Sequence, residues 1–455
     1  MKLHAEKLFN DPRVKEATKL LEDALSEHKS ALKKVKAPDK ELKISYKKLI
    51  DSFSQVRGGN LWYPYLGSGL GNGALVELLD GSVKYDFISG IGVHYFGHSN
   101  LDTIAPSINA AISDILIEGN LQQNNDSYLL SELFLELSGM DHCFLSSSGA
   151  MANENALKIA FQARFPAKRI LAFEKAFAGR TLALSSITDK PAFRKGLPQA
   201  INVDYLPFFD PEKEEESLEK ALKVLNSHLA RYPNDHALLI FEPVQGEGGF
   251  YPGDERFFKT LFKRVKEEGI LIFSDEVQTF GRLDTPFGFQ SFHLEEFVDL
   301  ATIGKLSLVT ATLFKDKIKP GPGLLSQTFT GATSLIKASL LLMSKLKNEG
   351  FFGKNGKNFR INELFKKEFQ KLEKQFPDKI KGPFGIGAMV AFTPFDGSKE
   401  KAVAFGQKLF EAGVISFIAG DHPTRIRFLP PVGVITEDDI FKAVEIIAET
   451  FKNSP

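Results

Sequence analysis

Four short apolar runs recur through the middle of the chain with helical patterns between them: RILAF at 169–173, ALLIF at 237–241, ILIFS at 270–274 and DLATI at 299–303. Parallel strands cannot be joined by a tight turn, so this alternation predicts a mainly parallel sheet whose crossover helices cover both faces. One crossover is legible in detail. Phe257, Phe258, Leu261, Phe262 and Val265 form an apolar stripe at helical spacing, and Gly269 stands where a helix C-cap would. The predicted fold class is α/β.

The flanks read differently. Residues 1 to about 60 are rich in Lys, Glu, Leu and Ala, with Leu20, Leu21 and Leu25 at helical spacing, which predicts solvent-facing helices. LVELLDGSVKYDF, from about residue 75, reads as a hairpin around Asp80-Gly81, and glycines at 90, 92 and 97 follow. NEGFFGKNGKN (348–358) breaks the pattern before an amphipathic helix, short strands and a final helix from about Glu437. With 455 residues, 43% of them hydrophobic, there is material for two domains. The expected organisation is 1–85 as a helical extension and a segment joining a small domain, 86–347 as the large domain, and 348–455 as the C-terminal small domain.

Fifty-seven basic residues balance fifty-seven acidic ones, so no net field favours nucleic acid or an anionic membrane. The single cysteine, Cys143, allows no internal disulfide framework and no thiolate metal cluster, and no metal is expected. The N-terminus lacks the apolar core of a signal peptide, and no apolar run reaches about 18 residues. These features point to the cytoplasm and away from a membrane. Neither internal repeats nor low-complexity tracts occur, so solenoid readings are dropped.

Four groups of residues could carry chemistry. Asp275 ends one apolar run and Lys305 lies just past another, so in a parallel sheet both would emerge at the carboxyl edge, where such folds bind ligands. A lysine can condense with an aldehyde while a carboxylate keeps a pyridine nitrogen protonated, which suits pyridoxal phosphate. Lysines and aspartates also end strands for no chemical reason, so the pair alone leaves both readings open. In HCFLSSSGAMANENALK an apolar strand, a Ser/Gly turn and a helix succeed one another, and the N–H groups of Gly149 and Ala150 at the helix start would hold a phosphate. Many structural junctions share that composition. In KAFAGRT, Phe177 could stack on a cofactor and Arg180 could fork onto a carboxylate; a core Phe and a surface Arg would look the same. Glu247 in IFEPVQGEGG and Arg427 in TRIRFLPPV are placed on loops of different domains, as a carboxylate-binding arginine and its acidic partner or as two solvated charges.

Taken together, EPVQGEGG, SDEVQTFGR and the strand ending in Gly304-Lys305 resemble, in wording and spacing, the class III or ornithine/γ-aminobutyrate type aminotransferases. That family belongs to the fold-type I pyridoxal-phosphate superfamily, and the likeness runs over roughly residues 60 to 450. The resemblance implies a large cofactor domain plus a smaller α+β domain built from both chain ends. It implies that Lys305 carries the cofactor as a Schiff base, Asp275 pairs with the pyridine nitrogen, Val277 packs on the ring and Gln278 reaches its 3-hydroxyl. Ser148, Gly149 and Ala150 would hold the phosphate, and Phe177 would cover the other ring face. Thr328 of SQTFTG would serve the phosphate bound by the neighbouring subunit of a homodimer with shared active sites. Arg427 would take the α-carboxylate of glutamate, Glu247 would mask it, and Arg180 would bind the distal carboxylate.

The wording departs from the family in places. FAGRT has Ala178 where a larger polar residue is usual, LSLVTATLF replaces a Gly-rich stretch after the lysine, and TGAT (Thr330 to Thr333) replaces GGNP. SGAMANENALK is nearer to the γ-aminobutyrate and lysine ε-aminotransferase branch than to the acetylornithine enzymes, which favours an ω-amino donor with 2-oxoglutarate as acceptor. A racemase, aminomutase or decarboxylase of the same superfamily is the second reading, told apart by whether a keto acid is needed. A non-catalytic protein of the same fold is the third, and a colourless protein that ignores added cofactor would favour it.

Overall fold

The computed structural model describes residues 3–454; residues 1, 2 and 455, which the expected domains include, lie outside the described residues. The chain divides into two units. One comprises Ser113–Phe359 with Gly385–Gly387, the other the residues up to Ile112, Arg360–Phe384 and those from Ala388 on.

The large unit is organised by a seven-stranded sheet. In chain order its strands are β1 (His142–Ser146), β2 (Arg169–Phe173), β3 (Asn202–Leu206), β4 (His236–Phe241), β5 (Leu271–Asp275), β6 (Leu300–Ile303) and β7 (Thr310–Phe314). Their spatial order is β1-β7-β6-β5-β4-β2-β3. The pairs β6·β5, β5·β4, β4·β2 and β2·β3 are parallel, and β7 alone runs antiparallel, between β6 and β1. Strand β4 shows how both faces are buried. Leu238 and Ile240 join a core with Ala156 and Ala160 of helix α1 (Gly149–Ala163), while Phe241 on the opposite face meets Phe258 at 5.0 Å and Phe262 at 4.8 Å.

Those two phenylalanines belong to the crossover helix α3 (Glu255–Glu267), and its whole predicted stripe is buried. Asp254 caps it by accepting the Phe257 N–H at 2.9 Å, and Gly269 follows it with φ +67°. Between α1 and α3 lies the single turn α2 (Pro191–Arg194), started by its proline. Helix α4 (Thr333–Asn348) follows β7 and buries Ile336, Leu342, Met343 and Leu346.

The smaller unit is α+β and draws on both chain ends. The predicted hairpin forms as Leu75–Leu78 paired with Val83–Asp86, turning through Gly81 at φ +74°, and Val414–Ile415 adds to it in parallel. A second sheet pairs Ile380–Phe384, Val390–Pro394, Arg425–Phe428 and Phe417–Ala419. Its core is aromatic, with Phe369 meeting Phe392 at 5.2 Å and Phe365 at 5.6 Å. The helices Pro12–Lys29 and Lys40–Arg57 bury almost nothing, Tyr46 excepted, as expected of solvent-facing helices. Each begins at an aspartate cap, Asp11 or Asp39.

The division falls later than the sequence placed it, at 112 and 359 where 85 and 347 were expected. Backbone and side-chain bonding explains both shifts. The His98 N–H donates to Gly73 O and the Gly71 N–H to Ser99 Oγ, both at 2.9 Å, holding the Gly-rich segment to the hairpin. At the other boundary, Asn358 Nδ2 donates to the carbonyls of Gly281 (2.9 Å) and Leu283 (2.8 Å), holding 348–359 to the large unit.

Candidate active site

Strands β2, β4, β5 and β6 are parallel, so their C-termini share one edge of the sheet; β1, antiparallel to β7 like β6, ends there too. That edge therefore gathers Phe177 (after β2), Glu242 (after β4), Asp275 (ending β5), Lys305 (after β6) and the start of α1 (after β1). Asp275 stands in register with Thr302, three residues before the lysine.

Asp275 is only 6% exposed. Its Oδ1 accepts the Val277 N–H at 3.0 Å and its Oδ2 accepts Asn153 Nδ2 at 2.7 Å. Burial pushes its pKa up to about 6, against the pull of those two donors and of the Lys305 charge. A buried carboxylate so held is oriented to accept from a cationic ring N–H.

Asn153 escaped the sequence reading. Its Nδ2 also donates to Ala178 O at 2.7 Å, and its Oδ1 accepts from Thr302 Oγ1 at 2.7 Å, so it ties α1 to the β2 loop, β5 and β6. The available signal was a polar residue on the apolar, Ala-rich face of α1. Ala178, the departure in FAGRT, is buried and bonds there through its backbone carbonyl.

Glu242 was also missed, though it ends an apolar strand just as Asp275 does. The residue is half-buried, but its carboxyl is turned inward, accepting the Phe177 N–H at 3.1 Å and the Gly246 N–H at 3.0 Å. Burial, with the Asp275 charge adding to it, pushes its pKa up to about 8. The unfolded chain releases this proton near the ordinary value of 4.5, whereas the folded protein keeps it to about 8. This group's contribution to stability is therefore complete below pH 4.5 and is lost as the pH rises toward 8. Glu242→Gln is expected to gain melting temperature relative to wild type between pH 5 and pH 8 in cofactor-free protein. Calorimetry showing a pH-independent difference would contradict a neutral, buried Glu242.

The edge is also closely packed around Val277 and Gln278. A Cβ on Gly149 would stand 2.9 Å from Val277 Cγ1, and one on Gly304 would stand 3.2 Å from the same methyl. A Cβ on Gly246 would collide with Gln278 Oε1 at 2.1 Å. Val277 is thus packed between the helix start and the residue before the lysine, and Gln278 against the turn at Gly246. Ser148 spends its hydroxyl on capping α1, accepting the Met151 N–H at 3.2 Å, which leaves the first N–H groups of a 15-residue helix facing outward at Gly149 and Ala150. An amine, a buried carboxylate, the apolar side chain of Val277 and a helix N-terminus fit the aldehyde, pyridine nitrogen, ring and phosphate of pyridoxal phosphate.

Of the other predicted residues, Arg180, Glu247 and Thr328 belong to the large unit and Arg427 to the smaller one. Arg180 is exposed, its guanidinium carbon 3.5 Å from the centre of the Phe193 ring. Glu247 meets Lys190 Nζ at 3.3 Å. Thr328 lies in a loop pressed on Gly119, where a Cβ would stand 2.0 Å from the Thr328 carbonyl oxygen. The sequence put Glu247 and Arg427 on loops, and the structure corrects both. Glu247 sits in the short turn Gly246–Gly249, and Arg427 sits within the strand Arg425–Phe428 of the smaller unit. There Ile426 and Phe428 enter the core, so strand alternation sends Arg427 to the other face, where it is fully buried with Phe417 at 5.4 Å.

The chain matches known proteins along most of its length. The family model "Aminotransferase class-III" matches residues 68–451, leaving the N-terminal helices before the matched span. An acetylornithine aminotransferase from Archaeoglobus fulgidus is 31% identical over 385 residues, 83% of this chain and 93% of that protein. A Bacillus anthracis aminotransferase superposes with a TM-score of 0.80 at 20% identity, covering 90% of this chain and 99% of its own. The lysine aminotransferase from M. tuberculosis superposes with a TM-score of 0.75 at 22% identity, over 88% and 98%. With the family model matched over most of its length, the chain belongs to the class-III aminotransferases, which are pyridoxal-phosphate-dependent enzymes.

Proposed function

We propose that this aminotransferase moves the terminal amino group of an ω-amino acid or diamine-type donor, such as ornithine, lysine or γ-aminobutyrate, to 2-oxoglutarate. The observation that carries this reading is the convergence of buried Asp275 and Lys305 on one sheet edge beside the start of α1. When bound, pyridoxal phosphate supplies an electron-withdrawing ring that makes the substrate carbon acidic. Lys305 would hold the cofactor through its amine and, when that amine is free, would carry the proton taken from the substrate carbon. Asp275 holds the ring nitrogen protonated, with Asn153 fixing the carboxylate's direction. Gly149 and Ala150 hold the phosphate through backbone N–H groups, Val277 and Phe177 enclose the ring, and Gln278 orients its hydroxyl. Arg180 takes the carboxylate distal to the reacting carbon. Arg427, on the resemblance, takes the acceptor's α-carboxylate, with Glu247 moving aside for it.

The donor class follows from shared chemistry. Acetylornithine, the substrate in the Archaeoglobus protein's name, and lysine, in that of the M. tuberculosis enzyme, both present an amine at the end of a chain that bears a carboxylate. Screening ornithine, acetylornithine, lysine, γ-aminobutyrate and diamines with 2-oxoglutarate tests the reading. Turnover of some donor with glutamate release is expected, and turnover without any keto acid would replace it by a racemase or decarboxylase.

We further propose a homodimer in which Thr328 serves the neighbouring site. Leu116, Ile117, Leu121, Phe329 and Leu335 are exposed together where Ile117–Glu118 pairs with Gly331–Ala332, and Leu121 is 99% exposed. An apolar patch of this kind marks a protein interface. Sedimentation giving the mass of one chain, 50.5 kDa, rules the dimer out. Among the described residues no helix is long and apolar enough to cross a membrane. The single cysteine supports a cytoplasmic location, checked by fractionation.

A further inference from the structure

The turn α2, which no motif singled out, backs two of the carboxylate-handling candidates. Phe193 of α2 carries the Arg180 guanidinium on its ring at 3.5 Å. Lys190, the residue that leads into α2, places its Nζ 5.4 Å from the centre of the same ring and meets Glu247 Oε2 at 3.3 Å. Both partners of that ion pair are largely shielded, with side chains 21% and 17% exposed. Arg180, Phe193, Lys190 and Glu247 thus form one continuous contact chain along the border of the site.

A glutamate that gives up one cation during half of a reaction cycle must leave its charge beside another, because a shielded carboxylate without a counter-charge is costly. Lys190 is placed to be that second cation. Its position is not left to a flexible side chain alone, since the proline at 191 fixes the backbone next to it and the Phe193 face attracts the ammonium. We propose that Lys190 is a positioning residue that sets the balance between the two substrates by holding Glu247 aside while the dicarboxylate acceptor binds. This rests on the reading of 2-oxoglutarate as acceptor given above, and Lys190 acts only through Glu247.

The proposal separates acceptor from donor. In the holoenzyme, Lys190→Met is expected to raise the KM for 2-oxoglutarate about fivefold, the worth of one partly screened ion pair, while the KM for the amino donor changes less than about twofold. The Kd of glutarate, a dicarboxylate without a keto group to react, is expected to rise with the acceptor KM, read by spectral titration in the absence of turnover. Lys190→Arg, which restores the charge, is expected to restore both values. Lys190→Gln is read in the same way if the methionine variant loses stability. Equal shifts in the two KM values, no shift in either, or failure of the arginine variant to restore them overturns the proposal. A wild-type enzyme that does not bind glutarate overturns the acceptor reading itself, and this inference with it.

Discussion

Lys305→Ala is expected to lower transamination by at least about 10³-fold, because on the proposed mechanism one residue supplies both the covalent anchor and the proton carrier. The fold should survive. Lys305 is half-buried in a short turn, and the sheet around it closes through β5, β6 and β7 without its side chain. The variant should therefore melt near the wild-type temperature and still take up cofactor, held by Asp275 and the start of α1. Borohydride should fix the cofactor to the wild-type protein and leave it dialysable from the variant. A variant that keeps wild-type turnover, or that borohydride still labels, removes Lys305 from the mechanism.

Asp275→Ala is expected to weaken cofactor binding by roughly 10²–10³-fold, the effect of deleting one partner of a buried, hydrogen-bonded charge pair. The loss reaches beyond one contact. Without the carboxylate the Val277 N–H loses its acceptor and Asn153 Nδ2 keeps only the Ala178 carbonyl, at a site only 6% open to water. Asp275→Asn keeps the shape and one acceptor oxygen, for the Val277 N–H or for Asn153 Nδ2, and drops the negative charge. If the asparagine variant binds cofactor as the wild type does, the charge has no part in holding the ring.

The parts of the site that sequence alone exposed are those where one local signal suffices. Asp275 and Lys305 each end a run of four or five apolar residues, and a parallel sheet must send such ends to one edge. The Ser148 to Ala150 turn announces itself as the junction of a strand and an Ala-faced helix. Asn153 and Glu242 stayed hidden because their meaning lies in partners far along the chain, Thr302 and Asp275 for one and Phe177 for the other. Period-2 and period-3.6 patterns say which face a residue takes, and nothing about which strand lies alongside. For the same reason the antiparallel course of β7 was not legible: LSLVTATLF registered only as an altered loop, whereas tertiary packing makes it the strand between β6 and β1. Lys190 and Phe193 had no signal at all, being ordinary residues whose roles come from the folding back of α2.

The reversal from β6 into β7 has its own consequence for turnover. Lys305 sits at its corner with φ +55°, and the turn is fastened from below, Ser339 of α4 donating its hydroxyl to the Ser307 carbonyl at 2.6 Å. A backbone held by strands on both sides and by that hydrogen bond is expected to stay in place, so on the proposed mechanism the Lys305 amine would move by side-chain rotation. Exposed side chains make such rotations in picoseconds to nanoseconds, whereas collective backbone movements take microseconds to milliseconds. On the proposed mechanism the step that returns Lys305 to the cofactor is therefore expected to be fast, and turnover to be set by slower events such as substrate exchange.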